Sequence, residues 1–246
     1  YSISDAQANI PGTTNVAINE AITITITDDV TFAQAKIIDD GSNSGSNTYD
    51  VNDTAANLAA GTVTSVNALN GAGTVTASSN ATGAESAKLA SISKAVTYDI
   101  SDTAANIVAN IGGLNEARDI SATDSCTFAQ AKVIEDATNS RNISYNISDS
   151  AANIAAGIGS DAAVITAATT VAANTYATVA ELEVIGADAN AIVFSTKDTA
   201  ANLAGATAAR ILKAVNTIAT TSANVTQATA IDTNTNAGAG GYNTFN

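Results

Sequence analysis

One short pattern occurs five times in this chain of 246 residues, and internal repetition constrains its fold more than any other feature. Each copy has an aromatic residue, an aspartate four positions later, an asparagine four positions after that, and then Ile or Leu. The aromatic residues are Tyr1, Tyr49, Tyr98, Tyr145 and Phe194. Their spacing of 47–49 residues predicts five repeats, namely residues 1–48, 49–97, 98–144, 145–193 and 194–246, the last with a glycine-rich C-terminal tail.

A second motif lies midway between the first ones. Thr31-Phe-Ala-Gln-Ala-Lys36 matches Thr127-Phe-Ala-Gln-Ala-Lys132, which lies 96 residues, or two repeats, further on. Weaker versions begin at Thr178 and Asn224. The unit of about 48 residues therefore consists of two related half-repeats of about 24 residues each.

Each half-repeat predicts a short strand followed by a short helix. Ile22, Ile24 and Ile26 alternate with threonine, which is the periodicity of a half-buried strand. An alanine-rich run follows each Asp-Thr or Thr-Asp pair and favours a helix. Because a carboxylate accepts from the exposed amides of a helix N-terminus, the repeated aspartates are predicted to cap these helices. They are Asp5, Asp53, Asp102, Asp149 and Asp198, with Thr127 or Asp124 as the cap in the other half-repeat.

The predicted fold is an α/β solenoid, in which a short parallel β-strand, a capped short helix and a loop are repeated. Helices usually pack further apart than paired strands, so alanine-rich faces would allow the necessary close approach. The sequence leaves open whether one coil contains 24 residues and one sheet, or 48 residues and two sheets.

Composition excludes several classes of protein. A net charge of −14 and an isoelectric point near 4.1 argue against nucleic-acid binding, which needs clustered Lys and Arg. The chain has no His and a single Cys, which excludes His-based triads, zinc sites and a disulfide scaffold. It has neither a long apolar run typical of a transmembrane helix nor a signal peptide, and the absence of Met predicts a processed product or a section of a longer chain. Abundant Thr, Ser and Asn favour an extracellular protein.

Calcium is the one cofactor that the sequence leaves open. Oxygen-rich loops would supply its ligands, and the candidate carboxylates are Asp28, Asp29, Asp39, Asp40 and Asp124. No segment matches an EF-hand loop or a calcium-binding nonapeptide repeat. For the repeated aspartates, capping explains the pattern without a metal.

The repeated asparagines are predicted to form a ladder of stacked amides that bond to neighbouring backbone. They are Asn9, Asn57, Asn106, Asn153 and Asn202. A ligand-binding row is the alternative. The repeated aromatic residues are predicted to form a line in the core, with a carbohydrate-binding strip as the alternative. Cys126 occupies the position of Val30 and is predicted to be a small buried side chain.

The alternating motifs, such as Tyr98-Asp-Ile-Ser-Asp-Thr-Ala-Ala-Asn-Ile107 and Thr127-Phe-Ala-Gln-Ala-Lys-Val-Ile134, resemble repeats in very large secreted surface proteins of cyanobacteria and other marine bacteria. The resemblance extends to about Ile231. It implies an extracellular adhesive or scaffold-forming array, and related repeats also suit phage fibres. It supplies no catalytic or binding residue.

The leading functional hypothesis is a non-catalytic structural role, as a rigid segment of a cell-surface layer, fibre or filament. The chain starts on a core-type Tyr1-x-Ile3 strand, which suggests end-to-end self-association or contact with neighbouring repeats. A glycan-binding or cell-binding fibre, of bacterial or phage origin, is the alternative. Ice binding by Thr23, Thr25 and Thr27 is a minor one. An enzyme is disfavoured, because no singular pair of acids stands out from the repeated aspartates.

Overall fold

The structure is a computed structural model that describes residues 1–10, 16–138, 142–235 and 243–244. The glycine-rich segment 236–242, predicted to be part of a tail, lies outside the described residues. The strands are β1 Ser2–Asp5, β2 Thr23–Val30, β3 Asn47–Asp53, β4 Val75–Ala77, β5 Val96–Thr97, β6 Ile100–Asp102, β7 Ile120–Cys126, β8 Ile143–Asp149, β9 Thr170–Ala173, β10 Ile192–Val193, β11 Thr196–Asp198, β12 Thr217–Ala219 and β13 Asn243–Thr244.

Short helices alternate with these strands. They are α1 Val16–Glu20, α2 Phe32–Asp39, α3 Ala55–Thr64, α4 Val66–Asn70, α5 Gly83–Leu89, α6 Ala104–Ala109, α7 Phe128–Glu135, α8 Ala151–Ser160, α9 Ala162–Ala167, α10 Val179–Ile185, α11 Ala200–Gly205, α12 Ala208–Ile211 and α13 Val225–Thr235. Two turns of 3₁₀-helix cover Gln7–Asn9 and Ile111–Gly113. The predicted α/β class and parallel strands are confirmed.

Within each sheet, strands that are neighbours in sequence are also neighbours in space. The first sheet has the order β1-β2-β3-β4-β5, the second has the order β10-β9-β8-β7-β6, and the third contains β11 and β12 with the two-residue β13 beside β12. Every pairing with a described register is parallel, as in Ile3 with Ile24, Val51 with Val75 and Ile147 with Val171. These partners lie 21 or 24 residues apart, which corresponds to the half-repeat rather than to the whole repeat.

The chain divides into two compact units. The first comprises Tyr1–Thr123 and Asp136–Ile143, and the second comprises Asp124–Glu135 and Ser144–Asn246. None of the helices within the described ranges has both the length and the apolar character that crossing a membrane requires.

The core is built from the inward-facing side chains of the strands and one face of each helix. Four of the five repeated aromatic residues are buried, at 2% exposure or less, which confirms their predicted place in the core. They are Tyr49, Tyr98, Tyr145 and Phe194. For Tyr1 the prediction is wrong, because 59% of this residue is exposed. Cys126 is fully buried, as predicted.

Glycine allows neighbouring helices to approach each other closely. A Cβ atom built on Gly83 would lie 2.5 Å from the carbonyl oxygen of Asn106 in α6. In the second unit, a Cβ atom on Gly157 in α8 would lie 2.4 Å from the ring of Phe128 in α7. Since paired strands are only ~4.8 Å apart and helices normally pack ~8–10 Å apart, small residues relieve this mismatch.

Candidate functional site: the aspartate corners

The most regular polar feature lies where a strand ends and a helix begins. We call it the aspartate corner, and it consists of the repeated aspartate, the Thr or Ser after it and the repeated asparagine. In the fourth repeat, Oδ1 of Asp149 accepts hydrogen bonds from the backbone N–H of Ser150 at 2.7 Å and from Nδ2 of Asn153 at 2.8 Å. The same two bonds, at 2.7–2.9 Å, occur at Asp53, Asp102 and Asp198.

The N-cap of each following helix is the hydroxyl residue, one position after the predicted aspartate. The side-chain oxygens of Thr54, Thr103, Ser150 and Thr199 accept from the backbone N–H of the asparagine three residues later, at 3.1–3.3 Å. These residues have extended backbone angles, as an N-cap requires, whereas the aspartate is the last residue of the strand. The sequence prediction therefore placed this cap one residue too early.

The second carboxylate oxygen of each corner bonds to a different helix. Oδ2 of Asp149 accepts from the backbone N–H of Phe128, the first residue of α7, at 2.9 Å. Oδ2 of Asp53 accepts from Phe32 and Oδ2 of Asp198 from Val179, both at 2.9 Å, and Oδ2 of Asp102 accepts from Gly83 at 3.0 Å. The aspartates thus do cap helices, but the helix is the one in the preceding half-repeat.

Hydroxyl groups make the equivalent bond in the intervening half-repeats. The backbone N–H of Ala55, the first residue of α3, donates to Oγ of Ser79 at 3.1 Å. Ala151 donates in the same way to Thr175 at 2.9 Å, and Ala200 to Thr221 at 3.0 Å. Sequence reasoning missed Ser79, Thr175 and Thr221, because they share no obvious motif. The one signal that could have found them is their position in a loop about one half-repeat after the helix that they cap.

The first repeat is a variant of this arrangement. Asp5 accepts from the backbone N–H of Ala6 and from Nδ2 of Asn9, both at 2.8 Å, through the same oxygen. Ala6 has no hydroxyl, and a short 3₁₀ turn replaces the α-helix. The backbone N–H of Gln7 donates to Oδ1 of Asp28 at 2.7 Å, so one of the predicted calcium ligands serves as a cap instead.

Hydrogen bonds keep most corner carboxylates ionised. At Asp102, partial burial raises the pKa, but the bonds from Asn106, Gly83 and Thr103 outweigh it and hold the pKa below its ordinary value. The pKa values of Asp149 and Asp198 are lowered in the same way. At Asp5 the bond from Asn9 is the main cause of the lowering. Each of these carboxylates therefore attracts helix amides as an anion.

The asparagines do not form the predicted ladder. Each donates its side-chain N–H to the aspartate four residues earlier, within its own half-repeat, at 2.8–2.9 Å. The carboxylate at the end of the strand is the nearest strong acceptor, which is the physical reason for this outcome. The residues concerned are Asn9, Asn57, Asn106, Asn153 and Asn202.

The structure does not gather the predicted calcium ligands into one place. Asp29 accepts from Nδ2 of Asn52 at 3.3 Å, Asp40 forms an ion pair with Lys36 at 2.5 Å, and Asp124 lies on β7. Among the residues that the structure describes, no group of three or more acidic, His or Cys side chains is placed to hold a metal ion. Asp39 lines a separate polar recess.

The return side, where a helix leads back to the next strand, contains one buried tyrosine hydroxyl in each of three repeats. Those of Tyr49, Tyr98 and Tyr145 donate to the carbonyl oxygens of Ala68, Gly113 and Val164, each at 2.8 Å. Burial, and secondarily the charge of Asp39, raises the pKa of Tyr49 to about 12.

Burial likewise raises the pKa of the Cys126 thiol to about 11, so this cysteine is not an activated nucleophile.

Comparison with known proteins adds no relative. No protein-family model, curated protein or solved structure matches the chain. The geometry alone therefore indicates what the corners do: three donors of the protein converge on each carboxylate and bind successive half-repeats to each other.

Proposed function

We propose that this chain is a non-catalytic structural protein, an α/β solenoid segment of an extracellular surface layer, fibre or filament. The observation that carries the proposal is the bond from each corner aspartate to the helix of the preceding half-repeat, repeated at Asp53, Asp102, Asp149 and Asp198. The polar groups that repeat most regularly thus hold the repeats together.

This arrangement favours an extended array over an isolated domain. The first amides of a helix have no intrahelical partners. In seven of the helices that the structure describes, the acceptor for the first amide comes from the next half-repeat, namely in α2, α3, α5, α7, α8, α10 and α11. A half-repeat is therefore complete only when another follows it, as in repeat proteins whose units contact their neighbours. The partner that we propose is more of the same repeat, in a neighbouring part of a longer array or in a second copy.

Charge fits this role. With a net charge of −14, copies of the chain repel each other in every direction, so association requires a specific contact that outweighs the repulsion, such as backbone pairing of strands. Assembly through strand pairing would then produce thin, separate fibres instead of amorphous aggregates.

Deleting one whole repeat tests the solenoid. The variant lacks residues 98–144, so that residue 97 is joined directly to Tyr145. Tyr145 then takes the place of Tyr98, the aromatic residue of the deleted repeat. We expect it to fold with unchanged circular dichroism per residue, and to lose roughly 10 Å of maximum dimension in X-ray scattering, because two strands are removed. A matched control deletes residues 110–156, which has the same length but joins unequal positions, and it should not fold. Failure of the in-register variant to fold would overturn the solenoid.

Electron microscopy of the purified protein tests the structural role. We expect uniform thin rods or filaments whose length grows with protein concentration and which persist in a calcium chelator. Compact particles that stay monomeric at all concentrations would overturn self-association. Fraying by the chelator would show that loop carboxylates bind calcium.

A further inference from the structure

A polar recess lies on the return side where the first repeat meets the second, within the first unit. Its volume is about 400 Å³, which is in the range of small-molecule sites. Its lining consists of Asp39, Gly41, Asn43, Gly45, Ser46, Asn47, Tyr49 and Gly71. Oxygen and nitrogen atoms dominate this lining, in contrast to the mainly apolar pocket beside Tyr98.

The loop that forms the recess is held in place by the protein itself. The side chains of Asn43 and Asn47 bond to each other at 2.8 and 3.2 Å, and Nδ2 of Asn47 also donates to the carbonyl oxygen of Ile38 at 3.0 Å. A Cβ atom on Gly45 would lie 1.8 Å from the carbonyl oxygen of Ile22, so only glycine fits there. The recess is thus preorganised, and binding would not have to order the loop.

Asp39 supplies the unused hydrogen-bonding capacity of the recess. Within the described part of the chain its carboxylate accepts no hydrogen bond, and its charged neighbours are Asp40 and Lys36. A Cβ atom on Gly71 would lie 3.9 Å from Oδ1 of Asp39, so the carboxylate faces the glycine side of the recess. Partial burial and the charge of Asp40 raise the pKa of Asp39, consistent with a carboxylate that lacks donors.

The third repeat shows what happens when the same position is filled differently. Glu135 ends α7 as Asp39 ends α2, and its longer side chain places Oε2 3.2 Å from the hydroxyl of Tyr145, where it shares the proton that this hydroxyl donates to Val164. The hydroxyl of Tyr49 donates to Ala68 alone. The shorter side chain of Asp39 makes no such bond to Tyr49, so its carboxylate remains available to a ligand in the recess that both residues line.

The chemistry of the recess selects among ligand classes. A carboxylate in a chain with net charge −14 repels phosphates and other anions. An apolar ligand would leave the polar lining unpaired. Calcium needs six to eight oxygen ligands, usually from several carboxylates, and Asp39 is the one carboxylate in the lining. A neutral polyol fits, because two adjacent hydroxyl groups can donate to the two free oxygens of one carboxylate.

We propose that the Asp39 recess binds a sugar residue, with the carboxylate accepting from two vicinal hydroxyl groups and Ser46 bonding to a third. The site is independent of the proposed structural role, since it lies away from the aspartate corners. A surface fibre that carries such a recess would also attach to glycans.

The test is a titration of the ¹⁵N-labelled full chain with glucose, galactose, mannose and fucose, followed by the amide signals of Gly41, Ser46 and Gly71. We expect saturable shifts of these signals with at least one sugar, at a Kd of roughly 1–10 mM. Asp39→Asn should weaken that binding at least about ten-fold. Asp40→Asn removes the adjacent charge but is not part of the lining, and it should keep the Kd within about two-fold.

Asp39→Glu gives the sharper comparison. It preserves the charge but should direct the carboxylate to Tyr49, as Glu135 is directed to Tyr145, and sugar binding should weaken by a similar factor. The proposal is overturned if none of the four sugars shifts these signals at roughly 100 mM, or if Asp39→Asn binds as tightly as the native chain. It is also overturned if calcium chloride or ethylammonium reproduces the shifts, because the site would then recognise cations.

Discussion

The two sides of a half-repeat differ in how strictly they repeat. At the aspartate corner, Asp53, Asp102, Asp149 and Asp198 make the same three kinds of hydrogen bond. On the return side, the acidic residues next to the buried tyrosines differ in type and in contacts, as Asp39 and Glu135 show. The invariant side holds neighbouring half-repeats together, which leaves the variable side free to differ from repeat to repeat.

Of the substitutions considered, Asp149→Ala at an aspartate corner should cause the largest loss of stability. It removes one acceptor from the amides of Phe128 and Ser150 and from the side chain of Asn153. We expect the free energy of unfolding to fall by about 3 kcal/mol, because hydrogen bonds to a buried charge are strong and two helix N-termini lose an acceptor. Urea unfolding followed by circular dichroism measures this. Glu20→Ala, at an exposed position, is the control and should change little. An equal loss in both variants would contradict a special role for the corner.

Two adjacent glycines test the close helix approach. A Cβ atom on Gly113 would lie 2.5 Å from the carbonyl carbon and Oγ of Ser86, whereas one on Gly112 would meet nothing within 4 Å. We expect Gly113→Ala to destabilise the fold by about 2 kcal/mol through overpacking. Gly112→Ala should be neutral or stabilise it by up to about 1 kcal/mol. Thermal unfolding midpoints compare the two, and equal midpoints would show that the helices can move apart at little cost.

Replacing an N-cap should have a smaller effect. Thr103→Ala removes the acceptor for the backbone N–H of Asn106, and we expect a loss of about 1 kcal/mol. Thr103→Ser should be close to native, since Ser150 makes this bond in the next repeat. A serine variant as unstable as the alanine variant would indicate that the threonine methyl group, not the cap, matters.

Ionisation of Asp102 at its aspartate corner should stabilise the fold, whereas ionisation of Asp39 in the recess should destabilise it. The pKa of Asp102 is lowered in the folded protein, so its contribution is present above the ordinary value of 3.8 and is lost as the pH falls through the folded pKa. The pKa of Asp39 is raised, so its ionisation opposes folding, and protonation at low pH relieves that effect. At neutral pH, Asp102→Asn should therefore lower the unfolding midpoint and Asp39→Asn should raise it slightly. As the pH falls, the Asp39→Asn difference should disappear before the ordinary value of 3.8 is reached, and the Asp102→Asn difference should shrink only below it. Shifts of the same sign at neutral pH would refute the distinction.

Local signals in the sequence predicted the elements well. The alternation around Ile24 indicated β2, and Thr127 was one of two proposed caps for α7, where its Oγ1 accepts from the N–H of Gln130 at 3.2 Å. The register between half-repeats was not predictable from these signals, because it depends on the length of one coil. The capping of Phe128 by Asp149 joins residues 21 apart in sequence, and nothing local to either residue specifies that partner.

The recess cannot be predicted from the sequence, although the sequence singles out its key residue. The sequence offers Asp39 and Asp40 alike as calcium ligands, because both are acidic and lie beside a loop. The structure separates them, since Asp40 pairs with Lys36 while Asp39 faces the recess. That separation depends on the direction of two neighbouring side chains at the end of α2, which composition and spacing do not report.

The bonds from one half-repeat to the helix of the preceding one have a consequence for the order of folding during synthesis. The acceptor for the first amide of a helix lies 19–24 residues later in the chain, so it leaves the ribosome after the helix that needs it. Until that acceptor is synthesised, the first amide of such a helix lacks this partner, and an aspartate or hydroxyl residue of the following half-repeat then supplies it. Folding during translation would advance from the N-terminus by half-repeats, and a chain arrested part-way would expose one unfinished helix to the quality-control machinery of the cell.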